Sequence, residues 1–186
     1  LQTAAVLSDL CDGLEASHAA GVLHRDVKPS NILLQKTDLK REDEFEIDPT
    51  AKHTHALLSD YDISLCNSTV QFEQKGTATG TPLYMAPEVS LNVADIKLDN
   101  FDRLRTIDVY AAGIIGYEML TGKAPFKGAT FIDTITQHVQ KPLPKHPAIP
   151  APFMAVLERA CEKKPRNRHQ RACELKEDVI RVVRML

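Results

Sequence analysis

The sequence lacks three features that would assign it to particular protein classes. It has no excess of one charge, because 23 basic and 25 acidic residues give a formal net charge of -2. Nucleic acid and anionic membranes are therefore not expected partners. Its longest apolar run, residues 109–120, contains Glu118 and is too short to cross a bilayer, so no membrane segment is predicted.

The cysteines also lack a diagnostic pattern. None of the four has metal-ligand spacing; they are Cys11, Cys66, Cys161 and Cys173. We therefore expect reduced, buried thiols without disulfides, in an intracellular (cytoplasmic) protein. The length suits a single domain. The chain opens at Leu1 and shows no signal peptide, so we expect it to be part of a longer protein.

One polar stretch, residues 24–31, organises the rest of the sequence. It reads His-Arg-Asp-Val-Lys-Pro-Ser-Asn and places an acid, a base and an amide close together. Asp26 can accept a proton from a hydroxyl, and Lys28 can neutralise a phosphate oxygen. Asn31 can bind a divalent cation through its carbonyl oxygen. These are the groups that phosphoryl transfer requires, since its catalysis is mostly positioning and charge stabilisation.

Two further segments follow in order. Residues 60–62 read Asp-Tyr-Asp, and residues 80–88 read Gly-Thr-Pro-Leu-Tyr-Met-Ala-Pro-Glu. With residues 24–31 they resemble the catalytic loop, the Asp-Phe-Gly motif and the end of the activation segment of protein kinases. Lys28 and Thr81 together resemble the serine/threonine class. We assign residues 60–88 to the activation segment.

The resemblance covers essentially the whole chain and implies the fold. It predicts a mainly α structure, the C-terminal helical lobe of a protein-kinase-like fold with short β-hairpins at the active site, over residues 1–186. The smaller N-terminal lobe is expected to lie outside this chain. No glycine-rich phosphate loop, strand lysine or partnering helical glutamate can be identified in the sequence.

The resemblance also implies the cofactors and catalytic roles. ATP and Mg²⁺ are the expected cofactors, and a protein with a Ser or Thr acceptor is the expected partner. Asp26 would be the base and Lys28 the phosphate contact, with Thr81 supporting both from across the cleft. Asn31 and Asp60 would hold the metal. The predicted nucleotide-binding residues are Lys28, Asn31, Leu33 and Asp60.

Six residues receive structural roles from the same resemblance: His24, Arg25, Tyr61, Glu88, Asp108 and Arg168. Tyr61 would pack in the core. Asp108 would bond the backbone of the catalytic loop, although a charge favoured by a helix N-terminus is the alternative. Arg168 would form a buried bidentate pair with Glu88.

Two positions bear on regulation. Asp62 stands where the family has a glycine, which puts normal switching of this segment in doubt. Thr77 is the candidate regulatory phosphosite, with Arg25 placed to bind the added phosphate. Ordinary polar loop residues are the alternative for Thr77 and its neighbours.

Hydrophobic periodicity predicts the secondary structure. Helices are predicted over residues 3–19, 107–120, 130–140, 153–163 and 172–186, and strands over 32–34 and 56–58. Residues 35–55 are strongly polar and are predicted to be an exposed, mobile insertion. Residues 89–105 are predicted to be irregular.

Three functions remain open at this point. The first is a serine/threonine kinase whose isolated fragment is inactive. The second is a pseudokinase or scaffold that binds partners without catalysis, favoured by Asp62 and the missing lobe. The third is a truncated product with no stable function. The intact set of Asp26, Lys28, Asn31 and Asp60 favours the kinase.

Overall fold

The computed structural model describes residues 2–37, 53–61, 65–66, 82–90 and 101–186. These residues form a mainly helical structure, which confirms the predicted class. The helices are α1 (Gln2–Ala19), α2 (Pro87–Ser90), α3 (Phe101–Thr121), α4 (Phe131–Gln140), α5 (Ala151–Ala160) and α6 (Ala172–Val183). The strands are β1 (Val22–Leu23), β2 (Ile32–Thr37), β3 (His53–Leu58) and β4 (Leu65–Cys66). Within the described ranges, every helix is too short or too polar to span a membrane.

Helix α1 packs against α6, α3 and β3. Its apolar face, spaced at three and four residues, is fully buried at Leu7, Cys11 and Leu14. Gly21 follows the helix with a φ of 75°, a left-handed conformation that glycine adopts without a steric penalty. The helix and its glycine end are both as the sequence predicts.

Helix α3 is the centre of the core. It is buried over most of its circumference, in keeping with its apolar sequence. At Gly113 an added Cβ would lie 2.8 Å from both Ala160 Cβ and Cys161 Sγ, so the glycine allows α5 to approach closely. The predicted start at residue 107 is wrong, because α3 already begins at Phe101. Its first turns are held by Leu104, which is buried against Leu23.

Strands β2 and β3 form an antiparallel hairpin in which Ile32 pairs with Leu58 and Thr37 with His53. The predicted boundaries of the polar insertion are therefore wrong at both ends. Residues 35–37 and 53–55 lie in the ladder, because backbone pairing continues beyond the apolar residues that signal the strands. Residues 38–52 lie outside the described residues. Strands β1 and β4 form a second, two-residue antiparallel pair.

The C-terminal helices have shifted ends compared with the prediction. Helix α5 begins at Ala151, directly after Pro150, and ends at Ala160 rather than at residue 163. Helix α6 ends at Val183 rather than at residue 186. Helix α4 begins with a capping box between Thr130 and Asp133, which satisfies two free backbone N–H groups.

Candidate active site

The predicted catalytic loop, residues 24–31, connects β1 to β2, and its backbone is hydrogen-bonded to Asp108 on α3. The Asp108 carboxylate accepts hydrogen bonds from the backbone N–H of His24 at 3.0 Å and of Arg25 at 2.8 Å. His18 Nε2 lies 2.8 Å from Asp108 Oδ2. The predicted contact between Asp108 and the loop backbone is present. The alternative, a charge at a helix N-terminus, is wrong because Asp108 is the eighth residue of α3, in its third turn, and is buried.

This anchor acts on a strained part of the backbone. Arg25 has a φ of 67°, a left-handed conformation that costs about 1–3 kcal/mol for a residue other than glycine. The two N–H groups that donate to Asp108 belong to Arg25 itself and to the residue before it. A buried carboxylate therefore holds the loop in a shape that its own backbone disfavours.

His24 joins the loop to the end of β3. Its ring is fully buried, and Nε2 lies 3.0 Å from the carbonyl oxygen of Ser59. Nδ1 accepts the backbone N–H of Asp26 at 3.3 Å. Since a carbonyl can only accept, the ring carries its hydrogen on Nε2. His24 thus links the residue before Asp60 to the backbone of Asp26, which fits its predicted structural role.

Asp26, Lys28 and Asn31 converge on one site. Lys28 Nζ donates to Asp26 Oδ2 at 2.5 Å. Asn31 Nδ2 donates to the backbone carbonyl oxygen of Asp26 at 3.0 Å and lies 3.5 Å from its Oδ2. Because its nitrogen is used in this way, Asn31 presents its Oδ1 as an acceptor.

The hairpin brings Asp60 to the same place. Asn31 directly precedes β2, and its carbonyl oxygen accepts from Ser59 N at 2.9 Å and from Ser59 Oγ at 3.1 Å. Asp60 follows with a φ of 65° and an exposed side chain. One amide oxygen and one carboxylate therefore lie at adjacent ends of the two strands. Oxygen donors of this kind fit Mg²⁺ with phosphate oxygens as the remaining ligands.

Tyr61 does not pack in the core as predicted. Its side chain is 38% exposed, and its hydroxyl lies 2.7 Å from Ser17 Oγ on α1. Its ring contacts the His24 ring at a centroid distance of 4.5 Å. The hydroxyl keeps the outer edge of the ring at the polar surface, while the inner edge covers His24.

The Arg168–Glu88 pair predicted from the sequence is present and bidentate. Both N–O distances are 2.6 Å, and both residues are buried. Arg168 Nε also donates to the carbonyl oxygen of Glu162 at 2.7 Å, and Nη1 donates to that of Thr106 at 3.1 Å. The guanidinium carbon lies 4.8 Å from the Tyr110 ring centroid. This network ties α2 to α3 and to the turn before α6.

Residues 82–90 lie beside the catalytic loop. Asp26 and Val27 line a narrow internal cleft together with Tyr84, Met85 and Ala86. Tyr84 Oη donates to Glu118 Oε2 on α3 at 2.7 Å. Burial, reinforced by this hydrogen bond and by the Glu118 charge, raises the pKa of Tyr84 far above its usual range. The hydroxyl is therefore a permanent donor at neutral pH.

Several predicted residues cannot be placed. Thr81, Asp62 and the candidate phosphosite Thr77 lie outside the described residues. Leu33 is placed in β2 opposite Leu57, and the two side chains are 54% and 48% exposed. The predicted nucleotide contact is thus an open apolar surface next to Asn31.

Sequence reasoning missed three residues that support the site: His18, Ser59 and Glu118. His18 lies on the apolar face of α1, at a position where the periodicity predicts a hydrophobic residue. A polar residue at such a position is the one sequence signal that could have identified His18. Ser59 contacts Asn31, which is 28 positions away in the sequence, and Glu118 contacts Tyr84, which is 34 positions away. Local patterns contain no information on such pairings.

Comparison with known proteins gives a consistent result. The family model described as protein kinase domain matches residues 2–179. The serine/threonine-protein kinase PkaA of Streptomyces coelicolor is 32% identical over 165 residues, which cover 89% of this chain and 26% of that protein. For PknB of Mycobacterium tuberculosis the identity is 33% over 181 residues, covering 95% of this chain and 25% of PknB. PknH of the same organism is 33% identical over 175 residues, covering 92% and 24%. The chain spans about a quarter of the length of these relatives.

Proposed function

Because this chain belongs to the protein kinase domain family, we propose that the protein containing it transfers the γ-phosphate of ATP to Ser or Thr hydroxyls of other proteins. The main support is the convergence of Asp26, Lys28 and Asn31 on one site, with Asp60 brought beside them by the hairpin. The names of its relatives support the serine/threonine class.

Each residue then has a chemical task. Asp26 accepts a hydrogen bond from the substrate hydroxyl, orients its oxygen and takes its proton. Lys28, already against the Asp26 carboxylate, adds positive charge where the transferred phosphoryl group becomes more negative. Asn31 Oδ1 and the Asp60 carboxylate would hold Mg²⁺. When bound, ATP with its metal supplies the phosphoryl group and neutralises charge on its oxygens.

We further propose that a second lobe outside these 186 residues covers the nucleotide. The support is the apolar surface of Leu33 and Leu57 at the predicted nucleotide position, since exposed apolar patches mark interaction sites. On this proposal the isolated chain transfers little or no phosphate. Thr77 as a phosphosite and the intracellular location stay predictions.

The test is phosphate incorporation into a generic Ser/Thr substrate, using the protein extended upstream. Asp26→Asn is nearly isosteric, so the fold should persist while activity falls by about 10²–10⁴-fold. Asp60→Asn should weaken Mg²⁺-dependent nucleotide binding as well as turnover. The matched control is Asp102→Asn, which changes an exposed carboxylate on α3. This variant should retain activity.

Two results would contradict the proposal. Inactivity of the extended protein with ATP and Mg²⁺ would favour a scaffold that binds partners without catalysis. Strong, Asp26-dependent activity of the 186-residue chain alone would show that a second lobe is unnecessary.

A further inference from the structure

Ser17 is a polar residue of α1 that the proposed chemistry does not use. Its Oγ donates to the carbonyl oxygen of Gly13, one turn earlier in the helix, at 2.9 Å. Tyr61 Oη lies 2.7 Å from the same Oγ. A serine hydroxyl has one hydrogen, which Gly13 accepts, so the Tyr61 hydroxyl is the donor in the second contact. Ser17 is thus an oriented acceptor for the side chain that directly follows Asp60.

The backbone around Asp60 is held on both sides. Before Asp60, the carbonyl oxygen of Ser59 lies 3.0 Å from His24 Nε2. After it, Tyr61 is held by Ser17 and by the His24 ring, at 4.5 Å between ring centroids. Asp60 itself has a φ of 65°, which a residue other than glycine adopts only when its surroundings require it. The two flanking residues therefore hold a conformation that Asp60 alone disfavours.

Helix α1 contacts this part of the chain at a second point. Asp9 Oδ2 accepts a hydrogen bond from Ala56 N, within β3, at 2.8 Å. Asp9 and Ser17 lie eight residues apart on α1, which is about two helical turns. The pairing of β3 with β2 ends at Leu58, three residues before Tyr61. Beyond the end of the ladder, the Tyr61 hydroxyl continues the attachment of this segment to α1.

We propose that Ser17 is a positioning residue for the metal ligand Asp60, acting through the Tyr61 hydroxyl. This inference rests on the proposed kinase function, in which Asp60 and Asn31 hold Mg²⁺. Because Mg²⁺ requires near-ideal octahedral geometry, a displaced carboxylate binds it less well. The family motif has phenylalanine at the position of Tyr61, and phenylalanine has no hydroxyl for this contact. The Ser17–Tyr61 bond is therefore an addition of this chain to the motif, and it should act on metal affinity.

Two conservative variants test this in the protein extended upstream. Tyr61→Phe keeps the ring against His24 and removes only the hydroxyl, whereas Ser17→Ala keeps the helix and removes only the acceptor. In each variant, the Mg²⁺ concentration that gives half-maximal ATP binding should rise about fivefold, as expected for the loss of one hydrogen bond. ATP affinity in EDTA should stay within about twofold of wild type, and so should KM for a serine peptide at saturating Mg²⁺. General damage to the fold would change these values as well.

The matched control is Thr136→Val on α4. Thr136 Oγ1 also donates to the carbonyl oxygen four residues earlier, that of Ile132, at 2.8 Å. This variant removes the same kind of hydroxyl away from the site and should leave the Mg²⁺ requirement unchanged. The double variant Ser17→Ala/Tyr61→Phe should need no more Mg²⁺ than either single variant, because both remove the same bond.

An unchanged Mg²⁺ requirement in either single variant would overturn the proposal. So would a double variant that shows the sum of both effects, since the two side chains would then act separately. Amide hydrogen exchange at Asp60 and Tyr61, measured without nucleotide or metal, gives an answer even if the wild type transfers no phosphate. Faster exchange in both single variants than in wild type and Thr136→Val supports positioning, and equal rates overturn it. A wild type that binds ATP with Mg²⁺ but transfers no phosphate contradicts the proposed kinase function only.

Discussion

Among single residues, Arg168 should have the largest effect on stability. Arg168→Leu removes the partner of Glu88 and leaves a buried carboxylate unpaired, which should lower the free energy of unfolding by about 3–5 kcal/mol. Urea denaturation at pH 7 measures this. Arg159→Leu is the matched control, because Arg159 is half exposed in its ion pair with Asp178 and should cost less than about 1 kcal/mol.

The double variant Arg168→Leu/Glu88→Leu sharpens the test. It removes both charges, so it should recover part of the stability lost in Arg168→Leu. A double variant that is as unstable as the sum of both single variants would show that the pair itself is not the source of the effect.

His138 should make stability depend on pH. Burial lowers its pKa to about 4 in the folded state, against about 6.5 in an unfolded chain. The unfolded state therefore binds more protons between these values, and stability should fall as the pH decreases from about 6.5 to 4, by up to about 3 kcal/mol. The other titratable groups facing the ring, Tyr110 and Lys163, do not titrate in this window.

Denaturant unfolding at several pH values between 7 and 4 checks this expectation. His138→Gln should lose less stability than wild type over the same interval, since the other titrating groups are common to both proteins. Parallel curves for the two proteins would contradict the assignment of a depressed pKa to His138.

Among the helices, two glycines should respond in opposite ways to the same substitution. In α1, a Cβ at Gly13 would meet only Leu58 Cβ at 3.5 Å, so Gly13→Ala should stabilise by about 0.5–1 kcal/mol through helix propensity. In α3, a Cβ at Gly113 would collide with Ala160 and Cys161, so Gly113→Ala should destabilise by about 1–3 kcal/mol. Thermal unfolding of both variants measures the difference, and the same sign of effect would contradict the close packing of α3 and α5.

The elements show which structural information a local sequence contains. The spacing of Leu7, Leu10 and Leu14 predicts α1 well, because that apolar face is buried. The early start of α3 at Phe101 was missed because its first turns are polar on most sides and are held by the long-range Leu104–Leu23 contact. The ends of the β2–β3 hairpin were missed because backbone pairing does not require apolar side chains.

In the candidate site, too, some contacts could be predicted from the sequence and others could not. The contacts of Asp108 and Arg168 could be predicted because a resemblance to a known family supplied long-range partners that the sequence alone does not specify. The His18–Asp108 and Tyr84–Glu118 contacts were missed because no motif marks them and their partners are far apart in sequence. The prediction that Tyr61 packs in the core was wrong because its hydroxyl forms a hydrogen bond with Ser17 at the surface.

For the whole molecule, the exposed face of the hairpin should matter only when the nucleotide is bound. Leu33→Thr keeps a good strand former at an exposed position, so the unfolding free energy of the 186-residue chain should change by less than about 0.5 kcal/mol. In the protein extended upstream it should weaken ATP binding by about tenfold through lost apolar contact. Nucleotide titration measures this. Ile132 on α4 is also apolar and is more exposed than Leu33, so Ile132→Thr is the control and should leave ATP affinity unchanged.

The β2–β3 hairpin also makes the geometry of the site independent of the length of the segment that connects the two strands. Asn31 and Ser59 are joined by hydrogen bonds at the open end of the hairpin, far from the connection between Thr37 and His53. Loop-closure entropy grows only with the logarithm of length, so doubling that connection costs about 0.6 kcal/mol. Homologous chains could therefore gain or lose long inserts there, or accept a whole fused domain, while Asn31 and Asp60 keep their spacing.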